Sequence, residues 1–89
     1  MSSYFLYILK CADKTLYTGV TTDVARRVNE HNGSALGAKY TRARRPVRLV
    51  YAKKYRSRSK ASQEEFRVKA FSRKEKLALI RRRTELTRV

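Results

Sequence analysis

Residues 4–31 read YFLYILKCADKTLYTGVTTDVARRVNEH. Two apolar runs, Tyr4–Leu9 and Leu16–Val20, flank a polar Ala12–Thr15 turn. Both runs are rich in β-branched or aromatic residues, which predicts two strands joined as a hairpin. The first run is apolar on both faces, with Phe5, Tyr7, Leu9 and Cys11 alternating with Tyr4, Leu6 and Ile8. A strand that must be covered on both sides belongs at the centre of a sheet. The Thr21-Thr22-Asp23 step then opens a helix predicted over Asp23–His31, capped by Thr21 or Thr22 with Asp23 in its first turn. Val24 and Val28 form its apolar contact side, while Arg27 and His31, four apart, share a polar stripe. Two strand tyrosines, Tyr7 and Tyr17, and a helical Arg/His pair thus converge within a short stretch.

Outward from this stretch, Asn32-Gly33 predicts the helix end, with glycine in the left-handed conformation. A loop follows over residues 33–45, GSALGAKYTRARR, with room for one helical turn around Ser34–Ala38. Pro46 opens a third strand, Val47–Lys54, in which Val47, Leu49 and Tyr51 alternate with Arg48, Val50 and Ala52. A basic, serine-containing connector, Tyr55–Lys60, leads into a helix beginning at Ser59 or Ser62 and ending near Phe71. A capping signature, Ser72-x-x-Glu75, starts the last helix, Arg73–Arg83, whose Leu77–Ile80 run docks it on the core. Residues 1–83 form one domain, and Thr84–Val89 are expected to be a loose polar tail. The order ββ-α-β-α-α predicts an α+β fold, a small, mainly antiparallel three-stranded sheet flanked by helices.

The chain has 89 residues, enough for one domain with a small core. Its 23 lysines and arginines against 7 acids leave a net charge of +16. Such self-repulsion opposes compaction and points to a polyanionic partner, nucleic acid first and acidic membrane surface second. No apolar run approaches the roughly 18 residues that cross a bilayer. Nothing at the N-terminus resembles a signal peptide, and the lone Cys11 suits a reducing cytoplasm. One cysteine and one histidine make no zinc site of the usual ligand set. The acids are Asp13, Asp23, Glu30, Glu64, Glu65, Glu75 and Glu85, and only Glu64-Glu65 are adjacent. That disfavours a two-metal nuclease and leaves room for one divalent ion held by one carboxylate and waters. Over Lys39–Arg58 the tyrosines Tyr40, Tyr51 and Tyr55 interleave with cations, a pattern suited to phosphates and unpaired bases. There is no base-reading helix and no glycine-rich phosphate loop, so recognition of shape or structure is expected.

In order along the chain stand Leu6-Tyr7-Ile8-Leu9, Tyr17-Thr18-Gly19, Arg27, His31, Glu65 with Lys69 four residues on, and Ser72-Arg73-Lys74-Glu75-Lys76-Leu77. This ordered set resembles the GIY-YIG nuclease superfamily, and within it the small single-domain members of the UPF0213 type, over about residues 4–80. The resemblance implies a metal-dependent endonuclease-like domain that hydrolyses DNA phosphodiester bonds, selective for structure rather than sequence. It implies Glu65 as the ligand of one Mg²⁺ or Mn²⁺ ion and Arg27 as the group that steadies the pentacovalent phosphate. Tyr7 and Tyr17 become the pair of which one activates water, Tyr7 first. His31 would relay a proton or bind phosphate. Lys39, Tyr40, Arg42, Arg44, Arg45 and Lys69 are the expected nucleic-acid contacts, Lys69 alternatively orienting Glu65. A protein partner could supply targeting. Two positions depart from the pattern: Val20 stands where many members have lysine, and no asparagine follows Gln63.

Each assignment has a plainer counterpart. Tyrosines are common in strands. Ser62-x-x-Glu65 is itself a capping box if the helix begins at Ser62, but not if it begins at Ser59. Arg27 could be solvated like Arg26, and a histidine near a helix C-terminus is a favourable dipole partner. The tyrosine pair also sets a geometric condition, because Tyr7 and Tyr17 share a sheet face only across a hairpin with an odd loop or a bulge. A basic nucleic-acid-binding module on the same scaffold, with weak or no catalysis, is the alternative function. A structural or interaction protein leaves the charge unexplained.

Overall fold

Strand β1, Tyr4–Lys10, is the middle strand of a three-stranded antiparallel sheet of order β2-β1-β3 in the computed structural model, which describes residues 3–87. β2 is Leu16–Thr21 and β3 is Arg48–Tyr55. Helix α1, Val24–Gly33, and the single turn α2, Lys39–Arg42, lie between β2 and β3. Helices α3, Arg58–Lys69, and α4, Arg73–Thr87, close the chain order. The expected α+β architecture with a central first strand is present. Both faces of β1 are covered: Leu6 and Ile8 join Tyr51 and Val68 in one cluster, while Tyr7, Leu9 and Cys11 join Val47 in the other.

The hairpin meets the condition that the tyrosines set. Lys10 pairs with Leu16, and the Cys11 N–H donates to the Thr15 carbonyl at 2.9 Å. Ala12-Asp13-Lys14 is therefore a three-residue loop, closed by Lys14 in the left-handed region at φ 71°. The resulting register pairs Tyr7 with Gly19 and Leu9 with Tyr17, so both tyrosines stand on one face.

Several local expectations are corrected. Asp23 is the cap of α1 rather than its first residue, its carboxylate accepting from the Arg26 N–H at 3.0 Å. The Thr21 hydroxyl supports it by accepting from the Asp23 N–H. Gly33 does not end the helix in a left-handed turn; it is the last helical residue, and Ser34 follows in extended conformation. The cause is Asn32, whose amide clasps the Val47 backbone, accepting its N–H at 2.7 Å and donating to its carbonyl at 2.9 Å. The short turn falls at Lys39–Arg42, not Ser34–Ala38. β3 begins at Arg48, and its alternation breaks: Ile8 pairs with Tyr51 but Leu9 pairs with Leu49. The bulge at Val50 sends Val47 and Tyr51 to opposite faces, although alternation had put them on one. α4 continues four residues past the expected end at Arg83, so Thr84–Thr87 are helical rather than a loose tail. Neither glycine nor proline interrupts that stretch. Residues 88–89 of the expected tail lie outside the described residues.

The α3 bounds are also corrected, to Arg58–Lys69 in place of a start at Ser59 or Ser62 and an end near Phe71, while the Ser72 cap of α4 follows the sequence. The Ser57 hydroxyl accepts from the Lys60 N–H, which starts α3 at Arg58. Glu65 is therefore a mid-helix residue, and its capping-box alternative falls. At α4 the box is complete, the Ser72 N–H donating to Glu75 at 2.9 Å and the Glu75 N–H to the Ser72 hydroxyl at 3.2 Å. One buried group stands unpaired among the described residues, the hydroxyl of Thr18. Thr18→Val, which keeps the branched shape, should raise stability by about 1 kcal/mol. In a domain of this size that is a Tm gain of about 5 °C, readable in a calorimetric melt.

Candidate active site

The hairpin sets Tyr7 and Tyr17 two residues apart on one face, and α1 crosses that face. Tyr7 lies across Gly19 of the neighbouring strand. A Cβ at Gly19 would sit 2.5 Å from the phenolic oxygen of Tyr7 and 2.6 Å from its Cζ. Glycine is thus the residue that lets the ring lie flat on β2 and point at α1. There the Tyr7 hydroxyl meets Nε2 of His31 at 2.9 Å, and Nδ1 of His31 meets the Thr41 hydroxyl at 2.7 Å. The Thr41 hydroxyl donates its own proton to the Ala38 carbonyl at 3.0 Å, so toward His31 it accepts. Nδ1 therefore carries the imidazole proton and Nε2 is left to accept from Tyr7. The Ala38 N–H, 3.5 Å from Nδ1, is too distant to reverse this order. Tyr7, His31 and Thr41 are all but excluded from solvent, at 1%, 0% and 0% exposure.

Burial sets the electrostatics of this chain. It pushes the Tyr7 phenol up to about 12, with Tyr17 and Glu65 adding to the rise, while the neighbouring Arg27 guanidinium pulls the other way. It also lowers the His31 pKa, helped by the charges of Arg27 and Arg45 and opposed by Glu30. His31 is therefore a neutral acceptor at neutral pH. Arg27 is held in place beside Tyr7, donating to Glu30 at 2.9 Å and to the Leu36 carbonyl at 2.7 Å. Tyr17 completes the group, its ring edge-on to His31 at 5.2 Å and 6.4 Å from Tyr7.

Glu65 comes to this group from the other side of the sheet. It lies on α3 and lines a cavity with Thr21, Thr22, Arg58 and Ser62 at the end of β2, a cavity that Tyr7, Tyr17, Arg27 and His31 do not line. The Tyr7 phenol feels its charge, but Lys69 is its ion-pair partner at 3.3 Å. Among the described residues no cluster of three metal-ligating side chains forms. The donor set is one carboxylate with hydroxyls around it, which suits a Mg²⁺ ion that keeps most of its waters.

Of the expected nucleic-acid contacts, Lys39, Tyr40 and Arg42 are exposed on α2, though Arg42 reaches back to the Ala35 carbonyl at 3.4 Å. Tyr40 stacks on Tyr17 at 5.9 Å, and the Arg44 guanidinium lies over its ring at 3.9 Å. Arg44 is further tied to Asp13 at 3.0 Å and to the Tyr40 carbonyl. Arg45 has another role, because it donates to the backbone carbonyls of His31, Ser34 and Glu30 at the end of α1. It caps the helix that carries His31 and has little left for phosphate. Lys69 holds Glu65. Thr41 was not visible in the sequence, since it stands ten positions beyond His31 with no periodicity to join them. Gly19 carried a usable signal: a glycine within a strand marks close approach by another group.

Comparison with known proteins bears on the family and the fold. The family model described as the GIY-YIG catalytic domain matches residues 3–78. A UPF0213 protein of Desulfotalea psychrophila is 54% identical over 79 residues, covering 89% of this chain and 72% of its own. A UPF0213 protein of Staphylococcus aureus is 49% identical over 83 residues, 93% of this chain and 100% of its own. The solution structure of a UPF0213 protein from Bacillus halodurans superposes with a TM-score of 0.57 at 46% identity, covering 88% of this chain and 82% of its own. That of a protein from E. faecalis gives 0.63 at 40% identity, covering 91% and 85%. Among the described residues no helix is long and apolar enough to cross a membrane. With the motif set, the sheet and the relatives in agreement, the chain belongs to the GIY-YIG family, among its UPF0213-type members.

Proposed function

We propose that the protein is an endonuclease that hydrolyses phosphodiester bonds of DNA with one Mg²⁺ or Mn²⁺ ion, choosing its substrate by structure. The observation that carries this reading is the buried chain Tyr7–His31–Thr41 beside Arg27, on the face that also presents Tyr17. A phenol at about 12 is almost wholly protonated at pH 7, and ionising it alone costs about 7 kcal/mol. Tyr7 therefore acts as a base by passing its own proton on as it receives one. Nε2 of His31 is the acceptor in place for that proton, and Thr41 steadies the charge that arrives on the ring. Arg27 supplies a guanidinium to the phosphoryl oxygens as negative charge builds there. Glu65 is the carboxylate to hold the ion, which when bound neutralises phosphate charge and acidifies a water. Lys69 would have to give up its ion pair for that, and its exposed position makes the exchange cheap.

The test incubates nicked, branched and single-stranded DNA with Mg²⁺ or Mn²⁺. Wild type should cleave. Tyr7→Phe, which removes only the hydroxyl, should lose about 10²- to 10⁴-fold in rate, the usual worth of a positioned acid or base. Glu65→Ala should abolish the response to metal. Equal cleavage by all three proteins would assign the activity to a contaminant. Salt-dependent binding without any cleavage would leave the nucleic-acid-binding module.

A further inference from the structure

The reverse face of the sheet carries a second cluster of cations, which the tyrosine site does not use. Strand β3, α3 and α4 enclose a cavity of about 310 Å³ there, floored by Leu6, Val68 and Leu79. Lys53 of β3, Arg67 of α3, and Arg82 and Arg83 of α4 line it, against a single carboxylate, Glu64. Glu64 is already neutralised by Arg67, which grips it with two nitrogens at 2.8 and 3.0 Å. Two phenols, Tyr51 and Tyr55, complete the wall. The guanidinium of Arg83 lies near enough to Tyr51 to act on its phenol. The volume equals about ten waters, ample for a phosphate group with part of its hydration.

Cationic groups from three separate elements, guanidinium groups from two of them and the Lys53 ammonium from the third, recognise an oxyanion, and phosphate is the one that guanidinium forks match best. The apolar floor lowers the local dielectric and concentrates the field of the cations. A carboxylate ligand is disfavoured, since one carboxylate already occupies Arg67 and leaves the rest of the cavity positive. We infer that this cavity is a second phosphate-binding site, taking the backbone of nucleic acid on the face of the sheet opposite Tyr7 and His31.

The dimensions give the site a consequence. The molecule measures only 32 × 31 × 27 Å, so the two sites lie on opposite sides of a body narrower than any smooth bend of duplex DNA. A duplex has a persistence length of about 50 nm and resists turning around so small an object. Two arms of a nicked or branched DNA meet at a flexible joint and can lie along both sides. The second site thus favours substrates with a discontinuity. The site itself stands without the nuclease reading; only its effect on which DNA is cut depends on it.

The test compares wild type with Arg82→Ala/Arg83→Ala, both exposed on α4, after a thermal melt shows that the double variant folds. Binding of nicked and intact duplexes is followed by fluorescence anisotropy across a salt series. The slope of log K against log salt for the nicked duplex should fall by about two phosphate contacts' worth, close to 1.8. The preference for nicked over intact DNA should fall with it. Amide resonances of Lys53, Tyr55 and Arg67 should shift on titrating the nicked duplex. An unchanged salt slope in the double variant overturns the site, as do duplex-induced shifts confined to α1 and α2. Shifts at the cavity with inorganic phosphate or AMP but an unchanged DNA slope would make it a small-anion pocket and overturn the assignment to nucleic acid. None of these readouts needs cleavage, so an inactive wild type would sink the nuclease reading and leave this one testable.

Discussion

Gly19→Ala should destabilise the protein by about 2–5 kcal/mol and strip it of the activity proposed for it. The sign is unusual. Within a strand, alanine is ordinarily better than glycine by several tenths of a kcal/mol, because glycine has more freedom to lose on folding. Here the added methyl meets the Tyr7 oxygen at 2.5 Å, Cζ at 2.6 Å and Cε1 at 3.0 Å. The ring is rigid, almost fully buried, and tethered to His31 at 2.9 Å. Either β2 moves away from β1, or the ring swings out and leaves Nε2 of His31 buried without a donor. Overpacking costs about 1–3 kcal/mol, and an orphaned buried acceptor about as much again. The check is a double-mutant cycle in denaturant. In a Tyr7→Leu background, whose side chain stops short of the clashing atoms, Gly19→Ala should cost under about 1 kcal/mol. Equal costs in both backgrounds would mean that Gly19 serves something other than the Tyr7 ring.

That same pair marks how far the sequence could be read. The central position of β1 followed from its two apolar faces, because a strand with no polar side has to be covered twice. Whether Tyr7 and Tyr17 share a face reduced to the parity of the loop, which the sequence left open and the three-residue loop decides, whereas the cap at Ser72 and Glu75 needed only local spacing. What escaped was whatever depended on contacts distant in sequence. Asn32 looked like a helix stop, but its amide finds the Val47 backbone fifteen residues on and the helix runs through it. Val47 and Tyr51 looked like one face until the bulge at Val50 divided them. Arg45 looked like any other loop cation, and only the folded chain shows it turned inward onto the carbonyls of α1. Glu65 was singled out as the metal ligand, and the fold brings it within electrostatic reach of Tyr7. Its nearest partner is nevertheless Lys69, an arrangement that helix spacing made legible.

His31 should give the fold a pH dependence of its own. Its pKa in the folded protein lies below 6.5, because burial and the charges of Arg27 and Arg45 oppose protonation. Between that lowered value and 6.5 the unfolded chain binds more protons than the folded one, so stability must fall as pH falls through this range. The contribution is fully present above 6.5 and is lost as pH drops through the folded value. Asp13, Glu64 and Glu75 are all held below their ordinary values, so their losses come at more acid pH. His31 is the one histidine of the chain. Urea denaturation between pH 7 and 5 should therefore show a slope that cannot exceed about 1.4 kcal/mol per pH unit, the limit for one proton. In His31→Asn that slope should vanish. If it persists there, another group is titrating and the neutral buried imidazole is not what sets it. The chemistry should follow the same titration, because a protonated Nε2 has no lone pair for the Tyr7 proton. Cleavage by wild type should fall on the acid side of the same range, and His31→Ala should lose about 10²- to 10⁴-fold at every pH. Thr41→Val separates the two roles of the ring. It leaves Nδ1–H without its acceptor, which frees the proton to move to Nε2 and block acceptance from Tyr7. Thr41→Ser keeps the acceptor and should restore the rate, whereas a Thr41 that merely fills space would be served as well by valine.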